Sequence, residues 1–250
     1  MFHLGIYYGT PAFGAVDADL AAVTDPFLTV SNNHLILPTA MYLQGAYALG
    51  AALSRVKVVT PKLRATSYYS IRGIEESLTP LTNPNFDEIF WNPVVLNPID
   101  ETQALATNTA GSSTDPETVG LWFGDMQRAL PAGEMYTVRW TQPSTPGAAV
   151  WTQQSVVMDQ VLPGGTYAIV GMEVVCTGAQ WARIIFPSTT PRPGVICSQT
   201  VGFRNSRYFR YGLLGEFGRF QSIAQPLVEV WSQAGASTSV QGWWDIIRLA

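Results

Sequence analysis

Charge is scarce in this sequence. Asp, Glu, Lys and Arg together make up 13% of 250 residues, about half the usual share. Compositional disorder is excluded, because disordered chains pair high charge with low hydrophobicity, and here 47% of residues are hydrophobic. Lysine is nearly missing: Lys57 and Lys62 stand against 12 arginines, and the net charge is −4. A chain without a broad basic footprint is not expected to bind nucleic acid. Histidine is limited to His3 and His34, neither with a Cys or carboxylate at metal-ligand spacing. The Gly-x-Ser-x-Gly elbow of many serine hydrolases is absent. No metal, no cofactor and no catalytic residue are therefore expected, and the chain is not expected to be an enzyme. The two cysteines, Cys176 and Cys197, are too few for a disulfide scaffold. Both sit in apolar strand-like runs and read as buried free thiols.

Long uninterrupted apolar runs are also lacking. The residues from Leu35 to Leu53, LILPTAMYLQGAYALGAAL, carry no charge, but Pro38, Thr39, Gln44, Gly45 and Gly50 break the run. This is poorer than the roughly 20 predominantly apolar residues of a membrane span. The stretch reads as a soluble helix near 38–53, opened by Pro38 at its first turn and buried against a sheet. The first residues, MFHLGIYYGTPAFG, do not show the basic start and continuous apolar core of a signal peptide.

What the sequence does have is β-strands. The segment VLPGGTYAIVGMEVVCTG, 161–178, opens on a Pro-Gly-Gly turn and continues as a strand that is largely apolar on both faces. Something must cover each face: a second sheet, a helix or another copy of the chain. Eight candidate strands fill the last 120 residues: MYTVRWT, AVWTQQSVVM, GTYAIVGMEVVC, QWARIIFP, GVICSQTV, one near GRFQS, PLVEVWS and VQGWWDIIRL. Their Gly/Pro separators and even spacing are those of a sandwich or barrel. The first half offers about six clear strands plus the helix. In SRVKVVTPKLRAT, a change of parity at Thr60-Pro61 predicts a bulged edge strand. ALPAGE, 129–134, predicts a boundary, giving an N-terminal domain over 1–130 and a C-terminal eight-stranded domain over 131–250.

The most charged segment is FRNSRYFRYGLLGEFGRF, 203–220. Arg204, Arg207 and Arg210 recur at i, i+3, i+6, with aromatics between them. In an acidic chain these guanidiniums suit pairing with carboxylates or stacking on aromatics, within the chain or across a contact. GLLGEFG follows no strand of a βαβ unit and reads as a tight loop rather than a dinucleotide fingerprint. In VQGWWDIIRLA, Trp243 and Trp244 face opposite sides of a strand, so both faces again need cover. Arg204, Arg207, Arg210 and Trp243 are the candidate subunit-interface residues. The adjacent pairs Glu75-Glu76, Asp87-Glu88 and Asp100-Glu101 would point to opposite faces of a strand, which makes them poor acid/base pairs.

The succession GTYAIVGMEVV, WARIIFP, RPGVI, FGRF and PLVEVWS resembles the jelly-roll capsid proteins of icosahedral viruses. It is most similar to the small double jelly-roll major capsid proteins of tailless viruses. The fold expected is all-β with one or two short helices: two jelly-roll sandwiches, or one C-terminal jelly roll behind an irregular N-terminal extension. The resemblance implies a structural virion protein, made in the host cytoplasm, that self-assembles through homotrimers into an icosahedral shell. Other virion proteins and an internal membrane are the further partners it implies, and it transfers no catalytic residue. Two other readings stand beside it. One is a carbohydrate- or receptor-binding sandwich, such as a phage decoration or receptor-binding protein. The other is a β-sandwich glycoside hydrolase drawing two carboxylates from distant strands.

Overall fold

A computed structural model describes residues 2–12, 14–50, 53–61, 69–71, 87–88, 93–108, 117–125, 129–198, 209–236 and 238–249. The chain forms two compact units, His3–Met126 and Gln127–Ala250 together with Met1–Phe2. Both are built from β-strands.

The N-terminal unit contains β1 (Phe2–Gly9), β2 (Ala18–Asp19), β3 (Ala21–Ala22), β4 (Thr29–Ser31), β5 (His34–Ile36), β6 (Met41–Gly50), β7 (Leu53–Val59), β8 (Tyr69–Ile71), β9 (Asp87–Glu88), β10 (Val94–Leu96), β11 (Glu101–Asn108) and β12 (Glu117–Gly124). One sheet runs β10-β6-β12-β1-β3 with β9 also on β6, and the other runs β4-β5-β11-β7-β8 with β2 on β11. Their apolar faces meet in a core that includes Tyr7, Leu35, Leu43, Val56, Val58, Leu121 and Phe123. The Tyr7 hydroxyl is buried with it. It donates to the Thr102 carbonyl at 2.6 Å and accepts from the Leu35 amide, which ties β1 to both β11 and β5.

The C-terminal unit contains β13 (Met135–Gln142), β14 (Val150–Ser155), β15 (Val157–Met158), β16 (Thr166–Val175), β17 (Trp181–Ile185), β18 (Gly194–Ser198), β19 (Gly218–Gln221), β20 (Leu227–Ser232) and β21 (Val240–Arg248). Every strand expected from the sequence over 131–250 is present. The order is β14-β20-β17-β18-β16-β21-β13-β15, with β19 also on β16. The path turns from one sheet to the other where β18 meets β16 through a short parallel pairing, Val174↔Cys197 and Val175↔Ser198.

The two units share one strand order. Setting aside the two-residue β15, the C-terminal sheets are β13-β21-β16-β19 and β14-β20-β17-β18. In the N-terminal unit the corresponding paths are β1-β12-β6-β10 and β5-β11-β7-β8. With β2, β3, β4 and β9, of two or three residues each, also set aside, eight strands remain in each unit, and both read first-eighth-third-sixth and second-seventh-fourth-fifth. That is the jelly-roll arrangement of two Greek keys closed into a two-sheet sandwich.

Two expectations are corrected. The helix near 38–53 is instead β6, which pairs with β12 over its length and with β10 and β9 on its other side. Its residues from Leu43 to Leu49 are all buried, so the alternation that marks a half-exposed strand never appears. The bulged edge strand expected at Thr60-Pro61 is not found among the described residues: β7 ends at Val59 and lies between β11 and β8, and the expected continuation over 62–66 lies outside the described residues. The register shift against β11 falls at the other end of β7, where Ser54 is the extra residue between the pairs Arg55↔Thr107 and Leu53↔Asn108.

The C-terminal core is aromatic. Trp140 and Trp244 pack with ring centroids 5.5 Å apart, Phe220 lies 6.1 Å from Trp244, and Tyr167 stacks on Phe220 at 5.7 Å. Gly242 makes room for this cluster. A Cβ there would fall 2.3 Å from Trp140 and 2.6 Å from the Glu173 carbonyl. Gly242→Ala is expected to lower stability by about 1–3 kcal/mol through overpacking, read as a lower denaturant midpoint at unchanged slope.

Candidate functional site

The strand β16 answers the question its sequence raises. A bulge between Ile169 and Gly171 shifts its register against β21. On the inner face, Met172 pairs with Trp244. On the outer face, Glu173 and Gly171 share a layer with Asp245 and Trp243 of β21 and with Thr137 and Arg139 of β13. That outer face is covered by the chain's own segment 209–217. Gly212 N donates to Val170 O and Phe217 N donates to Ile169 O, both at 2.8 Å.

Arg210 fastens this segment. Its Nε and Nη2 donate to the two oxygens of Asp245 at 2.6 Å each, and Nη1 donates to Glu173 at 2.8 Å. Thr137 Oγ1 donates to Asp245 at 2.7 Å, and the Tyr211 amide donates to the same carboxylate at 2.9 Å. Arg210, Glu173 and Asp245 are all buried. Three strands and one loop thus meet at a single guanidinium. Gly171 makes the approach feasible: a Cβ there would lie 2.3 Å from Asp245 Oδ2 and 3.0 Å from Arg210 Cα.

Burial alone would raise the Asp245 pKa, but the hydrogen bonds from Arg210, Tyr211 and Thr137 and the nearby positive charge hold it below the ordinary carboxylate value. A depressed folded-state pKa contributes stability above the unfolded pKa, and this is lost as pH falls through the folded value. The contribution of Asp245 is therefore complete at neutral pH and declines only in acid below the usual carboxylate range. Accordingly, the stability gap between the native chain and Asp245→Asn is expected to be constant from about pH 6 to 8 and to shrink below about pH 4. Urea denaturation across that range measures it, and a gap that stays constant to about pH 2 would contradict it.

A second buried cluster lies on the other sheet of the same unit. Arg183 Nε donates to Glu229 at 2.6 Å, and Arg192 reaches the other Glu229 oxygen. The Arg183 guanidinium lies 3.8 Å from the centroid of the Trp151 ring, a cation–π geometry. Trp151, Trp231 and Trp181 stand opposite one another across β14, β20 and β17.

Both histidines meet carboxylates that are distant in sequence. His3 Nε2 lies 3.0 Å from Asp25, with both side chains buried, which closes that pair to a substrate. His34 Nδ1 lies 2.8 Å from Glu101. This second pair borders a cleft of about 440 Å³ lined by Val59, Thr60, Pro61, Ile99 and Gln103. Cys176 and Cys197 are free and buried, and burial pushes both thiols up. Among the described residues no three His, Cys, Asp or Glu side chains are grouped to hold a metal.

Of the four residues named from sequence, Arg204 and Arg207 lie outside the described residues. Arg210 is turned inward and spends its donors within its own unit. Trp243 is half-buried on the outer face of β21, registered between Arg139 and Glu173. The carboxylate partners of Arg210 and Arg183 are not among those four. Their signal was present: Glu173, Glu229 and Asp245 are lone carboxylates inside apolar strands, and a charge in such a place needs a partner.

No family model matches the chain, and no curated protein matches it. Two solved structures are similar at a low level. One is a xanthan lyase of Paenibacillus, with 9% identity and a TM-score of 0.24 over 98% of this chain and 25% of that chain. The other is the major capsid protein P2 from Bacteriophage PM2, with 8% identity and a TM-score of 0.24 over 99% of this chain and 97% of that one. The chain spans about a quarter of the lyase's length.

Proposed function

We propose that this chain is a structural virion protein, a major capsid subunit that self-assembles into an icosahedral shell. The observation that carries the reading is the repeated strand order: two jelly rolls with the same succession lie in one chain of 250 residues. Low charge, many aromatics and arginine in place of lysine support it, since these are the compositional marks of surface that neighbours cover. On this reading the working unit is a homotrimer, the shell recruits other virion proteins, and an internal membrane is a contact beneath it. The chain is made in the host cytoplasm and functions in the virion, with no cofactor and no catalytic role. Arg204, Arg207 and Trp243 are the side chains proposed to reach neighbouring subunits, and Arg210 supports them by holding segment 209–217 in place. The test is the native mass of the purified chain across concentration, with electron microscopy of the eluted species. Trimers or shells are expected.

A second reading, a glycan-binding sandwich, is favoured by one feature, the cleft beside His34 and Glu101. Glycan-array binding that disappears in the double variant His34→Ala, Glu101→Ala would support it. Unchanged assembly of that double variant is what the shell reading expects.

A further inference from the structure

The sheet orders end in six strands. β3 and β15 have two residues each, β4, β8 and β10 have three, and β14 has six. Exposed strand edges invite pairing with other chains, and proteins blunt them by shortness, charge, proline or bulges. Among the described strands, the other five ends are short. Beyond β3 and β15 no described strand pairs the outer edges of β1 at 2–6, which is buried, or of β13 at 135–139, which carries Arg139. The strand β19, paired only with β16, has four residues and carries Arg219. β14 uses none of these devices. Its sequence, VWTQQS, has no charge and no proline, and it follows β20 in one unbroken register from Val150↔Ser232 to Ser155↔Leu227. Val150, Gln153 and Ser155 are exposed, Val150 at 53%. No described strand lies on its outer side.

We infer that the open edge of β14 is a homotypic contact, where β14 of a second copy of this chain adds as an antiparallel strand. An unpaired backbone edge is matched by another extended strand, with main-chain hydrogen bonds supplying the affinity. A second copy fits because the strand is neutral. Laid antiparallel to itself across a two-fold axis, it places no like charges opposite one another. The contact would join two second-seventh-fourth-fifth sheets into one continuous sheet across subunits. This inference rests on the self-assembly reading and deepens it by naming the contact.

The test uses the full chain carrying Val150→Lys and Gln153→Lys. Both positions are exposed, so the fold is expected to survive, as checked by circular dichroism and the denaturation midpoint. The added positive charges, brought close to those of the second copy, are expected to weaken self-association about tenfold, with partial recovery at 1 M salt, where the Debye length falls to about 3 Å. In the native chain, amides within 150–155 are expected to exchange slowly in the assembled state and quickly after dissociation. That measurement decides the matter even if the variant fails to fold. A two-fold contact cannot close a trimer, so it joins one trimer to the next; native shells whose 150–155 amides exchange no more slowly than in dissociated trimers would overturn this contact and leave the shell reading standing. A native chain that stays monomeric at every concentration would overturn both.

Discussion

Replacing Arg210 with alanine is expected to destabilise the C-terminal unit by about 3–5 kcal/mol, the cost of removing one partner from a buried ion pair. The effect is large because Asp245 is fully buried, Glu173 is 7% exposed, and among the described residues neither carboxylate would keep a cation within salt-bridge distance. Segment 209–217 would lose the Arg210 anchor, leaving the Tyr211 amide on Asp245 and the Gly212 and Phe217 backbone bonds to hold it on the sheet. Denaturant unfolding would show a lower midpoint, and amides near 212 and 217 would exchange faster than the rest of the unit. Arg219→Ala is the matched control. Arg219 pairs with Glu216 at 2.6 Å but its side chain is 58% exposed, so its loss is expected to cost no more than about 1 kcal/mol. Equal costs for the two substitutions would contradict the anchoring role of Arg210.

Replacing Glu229 with alanine is the second substitution expected to have a large effect. Glu229 is 2% exposed and serves both Arg183, itself 1% exposed, and Arg192. Removing it leaves the Arg183 guanidinium buried against the Trp151 ring without its carboxylate. The expected loss is again about 3–5 kcal/mol. Arg192→Ala should cost clearly less, because Arg192 is 21% exposed and its removal still leaves Glu229 paired with Arg183. Reversal of that ranking in denaturant titrations would show that Arg192 rather than Arg183 carries the cluster.

How much of this was legible in the sequence depends on burial. The C-terminal strands were readable because Gly and Pro turns punctuate them, and because Tyr136, Val138 and Trp140 alternate with residues of the other face. The sequence of β6 suits a helix as well as a strand because both its faces are covered. Leu43, Gly45, Ala46, Tyr47 and Ala48 carry no period of two, and small residues that let strands pack closely also suit a helix. The strands β2, β3, β9 and β15 have two residues each, too short for any periodicity. The sequence shows that the second face of β16 needs cover but does not name the cover. That depended on a bulge at Val170 and on a glycine whose missing Cβ admits Arg210. The spacing of Arg210 with Arg204 and Arg207 is plain in the sequence. Its partners lie 35 and 37 residues away on other strands, a pairing that only the jelly-roll crossovers create.

The measurement that bears most directly on the shell reading is the native mass of the purified chain by light scattering, over a wide range of concentration and salt, followed by electron microscopy of each eluted species. The reading predicts trimers that grow into closed shells as concentration rises. A compact monomer, unchanged across the whole range, would contradict it.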